Sequence, residues 1–565
     1  MSIVVSEKLI TKILSIGAAL TTILIISGSV TDPVNTPKFV AIGVTGFAAL
    51  GVVLYSGAQK FLKEHKLVLL MVLLFISAMI LAFISSESPV TQNLYGSYGR
   101  NNGLFTYLFL SSIFVSVLVL RSSTNFELLI KSLLFSGVVN IIYCFWVIMF
   151  GDFIGWSNPY GNILGTLGNP NFIGSFLGIF FTAYLAFALS KSSPRIMKYS
   201  LVAVLPITAF EIYDSHAIQG RVVAVLGVGI LGFLLIRSRF GTIATIGYTF
   251  FCSIAGFLAL LGSLQIGPFT NYIYKRSVSL RGQYWLAGWN TGESHPLTGV
   301  GMDSFGDWYR RSRDSHALEL PGVNTVVNAA HNVPLDMFAF GGWPLLLTYF
   351  SIMGLAAGAA VKLIFRKKAY DPIFAVLITS WVGYQVQSII SINQIGLAVW
   401  GWLLSGALIA YERSTRSKDA NPIQPASQQT KKTQSQAIQP QLLLLAVTGG
   451  VVGLLIALPP LTADARWRSA QLARTVPALE ASMASGYFNP QNSTKYQINI
   501  QTLEQSNLFA LSHKYALEAV KWNPEAFDLW KVLYLVRDST PEEKALALEN
   551  MKRLDPLNPD VTSMQ

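Results

Sequence analysis

Thirteen apolar stretches, each close to the length of a membrane span, constrain this chain more than any other feature. A span takes roughly 20 mostly apolar residues to cross about 30 Å of hydrocarbon. The stretches lie near 9–29, 38–56, 66–84, 103–120, 130–150, 170–190, 198–213, 219–236, 241–263, 333–361, 371–390, 396–411 and 441–460. Backbone amides in hydrocarbon find no water, so each stretch must close its hydrogen bonds within a helix. Only 12% of the 565 residues are charged, about half the share usual in soluble domains. The expected fold class is therefore all-α: a polytopic integral membrane protein of about 12–13 transmembrane helices. The first stretch lacks a small-residue cleavage site and runs into a second, so it is not expected to be a removed signal peptide.

The basic residues set the expected orientation, because short cytoplasmic loops are enriched in Lys and Arg. With the N-terminus inside, the inner loops carry Lys60, Lys63 and Lys66; Arg121 and Lys131; Lys191, Arg195 and Lys198; and Arg237 and Arg239. They continue with Lys362, Arg366, Lys367 and Lys368, then Arg413, Arg416, Lys418, Lys431 and Lys432. The outer loops 151–169, 213–218 and 391–395 carry none. The net charge of +12 thus reports membrane topology, and no nucleic-acid partner is expected. After Thr462 there are 11 Lys+Arg against 12 Asp+Glu, so the excess belongs to the apolar part.

Four segments follow. Residues 1–411 form a polytopic membrane domain that would carry the catalysis, with a long outer loop at 264–332. Residues 412–440, rich in Gln, Ser, Lys and Pro, read as a disordered cytoplasmic linker. Residues 441–460 are the last span, and 461–565 an extracytoplasmic helical tail. In the tail, HKYALEAVKWNPEAFDLWKVLYLV and PEEKALALENMKRLDPLNPD pair helices that end at Pro524 and Pro556, 32 residues apart. That spacing resembles tetratricopeptide repeats, whose period is about 34, and such a tail can dock a protein partner.

Cations on the outer side need a reason, and an anionic ligand is one. The outer loops carry Arg100, then Lys275, Arg276, Arg281, Arg310, Arg311 and Arg313, and Arg221 stands at a span mouth. On a helix, Arg281, Trp285 and Trp289 share one face. That face suits an interfacial anchor as well as it suits a binding site, since aromatic rings rest at headgroup level and Arg snorkels. An Arg at the edge of hydrocarbon, like Arg221, needs a partner, either Asp214 or phosphate, and its planar fork matches phosphate better than Lys would. Arg100, in LYGSYGRNNGLFTY, is a second phosphate clamp or a loop charge. His331 precedes the tenth span, followed by Asn332 and Asp336. A neutral imidazole there can accept a proton from a hydroxyl, although taken alone a histidine at a capped helix start is the simpler account. Gly299 and Gly301 in HPLTGVGMDSF mark a tight turn, and Asn169-Pro170 a helix start. His295, His316 and His331 are spaced too widely for a recognisable zinc set, and no metal or cofactor is expected. Cys144 and Cys252 lie within spans, and no nucleotide-binding or hydrolase motif is present.

RGQYWLAGW followed by HPLTGVGMDSF, then HNVPLDMFAFGGWPLLL and YQVQSIISINQIGLAVWGWLLSGAL, resembles the O-antigen ligase and Wzy-type O-antigen polymerase superfamily of bacterial membrane glycosyltransferases. LYGSYGRNNGLFTYL and GTLGNPNFIGSFLGIFF fit as well, so the resemblance spans roughly 85–411. It implies a lipid-dependent glycosyltransferase-like fold in the bacterial inner membrane, acting at the outer face without metal or nucleotide sugar. The donor would be a glycan on undecaprenyl pyrophosphate, and the acceptor a hydroxyl on a glycan, lipid or protein. Arg221 and Arg281 match the pyrophosphate-binding arginines, with Arg100 a third candidate, and His331 matches the assisting histidine. Asn332, Asp336, Trp285, Trp289, Gly299 and Gly301 would then support the site. Two other readings compete: a small-anion, bicarbonate-type transporter, and a non-catalytic surface-polysaccharide assembly factor.

Overall fold

The computed structural model describes residues 3–55, 64–190, 193–419 and 439–564, and among them the regular secondary structure is all helical, apart from one isolated bridge, Gly486 to Asn489. The membrane part comprises α1 (Ile3–Ile23), α2 (Asn35–Tyr55), α3 (Lys66–Ile84), α4 (Leu104–Val117), α5 (Ser123–Phe150), α6 (Pro170–Ala188), α7 (Arg195–Asp214), α8 (Ile218–Arg239) and α9 (Gly241–Ser263). The loop helices α10 (Arg276–Ser294) and α11 (Phe305–Ser312) follow. Then come α12 (Val333–Arg366), α13 (Pro372–Ile390), α14 (Ile395–Asp419) and α15 (Pro440–Ala473).

All thirteen apolar stretches are helical, and eleven of these helices are long and apolar enough to cross a membrane, as in a polytopic membrane protein. The other two are α1 and α4. Three charges, Glu7, Lys8 and Lys12, stand in the first half of α1, and the helix stops at Ile23, short of the expected 29. Glu7 is buried and accepts from the backbone N–H groups of Arg121 and Ser122, which caps the start of α5. Helix α4 is 14 residues long, about 21 Å at 1.5 Å per residue, too short to span alone. Phe109, Leu110, Ile113 and Phe114 are fully buried in it, as in a core helix.

Helix α14 is buried along its spanning length, whereas α7 and α9 lie at the periphery. Ile196, Val202 and Ile243 point fully outward there, a disposition that suits lipid and not water. Helices α2 and α15 meet backbone to backbone: a Cβ on Gly453 would stand 2.1 Å from the Gly43 carbonyl oxygen, and one on Gly449 2.2 Å from that of Phe47. Small residues permit such an approach where helices associate in lipid.

The loops expected to be inner gather at one end of the bundle. Arg121 pairs with Glu64, Arg413 meets His65 at 2.6 Å, and Arg366 pairs with Glu412 at 2.8 Å. Arg416 also pairs with Glu412, and α14 continues to Asp419, beyond the boundary expected at 411. The remainder of the expected linker, 420–438, lies outside the described residues.

At the opposite end, α15 runs unbroken from Pro440 to Ala473, so the last span and the tail share one helix, where a boundary at 460 was expected. Pro459 removes the amide that would bond to Leu455, and the Tyr487 hydroxyl takes over that carbonyl at 2.9 Å. The tail continues as α16 (Val476–Met483), α17 (Ser493–Gln505), α18 (Phe509–Trp522), α19 (Phe527–Leu535) and α20 (Pro541–Leu554) around its own core of Ile500, Ala516, Leu529 and Leu533.

The tail explains three of the cations that seemed to call for a ligand. Asp555, fully buried, receives Arg310 at 2.9 Å and Arg313 at 2.7 Å. Arg311 pairs with Glu525 at 2.5 Å, and the Arg310 guanidinium lies 4.2 Å from the Phe527 ring centre. These side chains clamp the long loop to the tail.

Candidate functional site

The site is built where the loops meet. Helix α12 is broken: Gly341 (φ −143°) and Gly342 (φ 63°) leave the helical region, freeing the carbonyls that precede them. The Gly-rich turn supplies the missing donors, Val300 N–H to Ala339 at 2.9 Å and Gly301 N–H to Phe340 at 3.0 Å, while Trp343 N–H bonds Pro296 at 2.8 Å. A Cβ on Gly299 (φ 60°) would stand 2.2 Å from the Phe340 carbonyl carbon, so only glycine admits this docking. Met302 N–H then bonds Asn93 Oδ1 at 2.8 Å, which fixes Asp303.

Asp303 is buried and organises the neighbouring loop. Its Oδ2 accepts from Ser97 N–H at 2.7 Å and Asn102 N–H at 3.2 Å, and its carbonyl accepts from the Ser97 hydroxyl at 2.8 Å. Arg100 rides on the loop so held. Burial pushes the Asp303 carboxyl up to about 7, against the pull of those two N–H groups and of Arg100. Sequence reasoning missed Asp303; the signal was an acidic residue directly after the glycine turn, a type that tolerates the left-handed conformation it adopts (φ 54°).

Arg100 faces a cavity of about 630 Å³ lined also by Asn169, Tyr160, Asn328, Asn393 and Arg468. Its guanidinium forms no hydrogen bond or ion pair among the described residues. Burial lowers its proton affinity, with Asp303 the strongest opposing group, yet a guanidinium remains cationic. Arg281, on α10, is half-buried, its Nη1 donating to the Ser277 carbonyl at 3.2 Å while its Nε has no partner among the described residues. Burial likewise lowers Arg281.

His331 lies within reach of both charges. Burial first, then Arg100, then Arg281, hold its imidazole down to about 4, so it is neutral and can accept a proton at neutral pH. Its backbone is left-handed (φ 56°), an uncommon conformation for a residue other than glycine. The restraints are visible: Asp336 Oδ1 accepts from Ala330 N–H at 2.7 Å, and Asn332 caps α12 by accepting from Leu335 N–H at 3.0 Å. Trp285 Nε1 donates to the His331 carbonyl at 3.4 Å, and the Tyr284 ring lies 5.2 Å from the imidazole. Trp289 packs 5.1 Å from Phe338, beside the break in α12.

The structure thus brings Arg100, Arg281 and His331 into one electrostatic neighbourhood, with Asn332, Asp336 and Trp285 around the backbone at His331 and Gly299 and Gly301 in the turn before Asp303. Arg221 is placed otherwise, exposed on the first turn of α8 with its guanidinium 5.0 Å from the Tyr213 ring. His331, Arg281 and Arg221 do not line the cavity wall, which Arg100 does. Asn169 caps α6 by accepting from Asn171 N–H at 2.9 Å and also faces the cavity. Among the described residues no group of three His, Cys, Asp or Glu side chains is placed to hold a metal ion.

Helix α15 reaches this site too. Asp464 accepts from the Thr31 and Asp32 N–H groups at 2.9 and 2.8 Å and from the Tyr98 hydroxyl at 2.9 Å, two residues from Arg100.

Residues 201–350 match the family described as O-Antigen ligase. The matched stretch contains Arg221, Arg281, Asp303, His331 and Asp336, and leaves out Arg100 and the tail. No curated protein matches the chain. The match supports a place for this stretch with the O-antigen ligase superfamily, and with it a membrane role in ligating or polymerising glycans.

Proposed function

We propose that the protein transfers or polymerises glycan from an undecaprenyl-pyrophosphate carrier onto an acceptor hydroxyl at the outer face of the bacterial cytoplasmic membrane, with inversion and without metal. The observation that carries this reading is the Arg100 guanidinium, unpartnered among the described residues on the wall of a 630 Å³ cavity and electrostatically coupled to His331. The O-antigen ligase match across Arg281 and His331 supports it independently.

The chemistry follows from the charges. Arg100 and Arg281 hold the pyrophosphate and stabilise the charge that develops as the sugar leaves, preorganised in a water-poor site. His331 takes the proton of the acceptor hydroxyl. The new bond forms between that oxygen and the anomeric carbon as the bond from carbon to phosphate oxygen breaks on the opposite side. The products are the lengthened or ligated glycan and free undecaprenyl pyrophosphate. With the pyrophosphate bound, the two guanidinium groups no longer face the imidazole uncompensated, and His331 becomes a stronger base. Donor binding thereby switches the base on. Arg221 keeps a donor-binding role in this reading if it leaves Tyr213 when the donor arrives. The tail, read as tetratricopeptide-like, is extracytoplasmic, and the N-terminus cytoplasmic.

Purified protein supplied with a lipid-linked glycan and acceptor should release the carrier, and His331→Ala should remove that release. Unchanged release in His331→Ala overturns the assignment. One observation favours a second reading, transport of a small anion or proton: Glu211, in the spanning helix α7, is buried with both carboxylate oxygens unpartnered among the described residues. Counterflow in proteoliposomes that persists in His331→Ala and is lost in Glu211→Gln would establish transport instead.

A further inference from the structure

A second cavity, of about 130 Å³, lies between the tail and the long loop. One water needs roughly 10–15 Å³, so this groove has room for much more. Its wall sets the amides of Gln491, Gln497 and Asn328 against the rings of Tyr98, Trp522 and Phe527. Tyr98 and Asn328 also line the Arg100 cavity, so the two spaces share a wall.

Gln491 is 3% exposed; its Nε2 donates to the Asn489 carbonyl at 3.3 Å, and its Oε1 has no hydrogen-bond partner among the described residues. A buried amide oxygen left unpaired is costly, and turning it toward the groove would let it accept from a hydroxyl there. The side chain of Gln497 forms no hydrogen bond among the described residues and is half-buried. The charges of the wall are already committed: Arg310 to Asp555 and, at 3.4 Å, to Asp528, and Asp307 to Gln92 at 2.9 Å and Asn523 at 3.0 Å. An anion therefore finds no spare cation here. A neutral molecule with many hydroxyl groups and apolar C–H faces meets both halves of the wall, with its hydroxyls on the amides and its ring faces on the aromatics.

We propose that this groove holds a saccharide segment of the glycan being joined, with Gln491 and Gln497 bonding its hydroxyls and Trp522 beside its ring. The inference rests on the glycan-joining reading and adds that the tail builds part of the substrate site.

The test uses the full-length protein in detergent and one probe, oligosaccharide freed from the lipid carrier by mild acid and dephosphorylated, observed by saturation-transfer NMR. Binding is expected, weakened about tenfold by Gln497→Ala, which removes an unbonded side chain and leaves the fold intact, and further by Gln491→Ala. No binding to the wild type, or binding untouched by both substitutions, overturns the proposal. In a carrier-release assay the same variants raise KM for the acceptor if the acceptor's sugars occupy the groove, and for the donor if the donor's do. Oligosaccharide binding with no carrier release would leave the groove standing and remove the glycan-joining reading. Normal release with binding indifferent to the groove would do the reverse.

Discussion

Replacing Arg100 by glutamine takes away one of the two charges that act on His331, and the imidazole reports the change directly. In the intact protein His331 titrates at about 4, against an ordinary value near 6.5. Each tenfold change in proton affinity is worth about 1.4 kcal/mol, so protonating His331 costs roughly 3 kcal/mol more than in water. Burial supplies the largest share, Arg100 the next and Arg281 the least. Arg100→Gln should therefore raise the value part of the way toward 6.5, and Arg281→Gln by less. Neither should reach 6.5, because the imidazole stays buried. The same sign applies to an anion: inorganic pyrophosphate bound between the arginines should raise the value in the wild type and have less effect in Arg100→Gln. There are six histidines in the chain, so the imidazole proton resonances can be followed by NMR in detergent micelles and assigned with His331→Ala. Linkage fixes a companion result. A folded-state value below the unfolded one destabilises the protein as pH falls from about 6.5 to 4, and His331→Gln should blunt that loss. A wild-type His331 that titrates near 6.5, or one that Arg100→Gln leaves unmoved, would refute the reasoning.

Three further outcomes are expected. Asp555→Ala strands Arg310 and Arg313 without their shared carboxylate; breaking such a buried pair costs about 3–5 kcal/mol, read as a lower melting temperature and faster proteolysis of the tail. Asp303→Ala frees the loop that carries Arg100, so carrier release should fall by about 10²-fold, the scale of a misplaced positioning group, while melting changes far less than activity; equal losses in both would make Asp303 merely structural. Gly453→Leu drives a side chain into the Gly43 carbonyl and should destabilise the detergent-solubilised protein by about 1–3 kcal/mol or more, seen by thermal unfolding.

Helices were legible in the sequence because hydrocarbon leaves an apolar stretch few alternatives. Even so, the charges of α1 and the brevity of α4 show that apolarity alone does not separate a span from a core helix. The helix start at Asn169 was legible too, since the capping bond it forms lies within two residues. What sequence could not supply was pairing at long range. Arg313 and Asp555 are 242 residues apart and Ser97 and Asp303 206 apart, and no spacing rule connects them. Three outer cations therefore looked like ligand groups although they grip the tail, and Asp303 passed unnoticed in a turn singled out only for its glycines. The boundary expected at 460 likewise falls inside α15, where the Tyr487 hydroxyl, 32 residues away, bonds the Leu455 carbonyl.

The central claim is that Arg100 and Arg281 grip a pyrophosphate beside His331. Its most direct test is the affinity of a short-chain polyprenyl pyrophosphate for the purified wild type, for Arg100→Gln and for Arg281→Gln, measured by calorimetry in detergent. A charged hydrogen bond is worth about 1.5–3 kcal/mol, so each substitution should weaken binding by roughly 10- to 100-fold, with the unphosphorylated alcohol binding all three proteins alike. Equal affinity of the pyrophosphate for wild type and both variants would contradict the account.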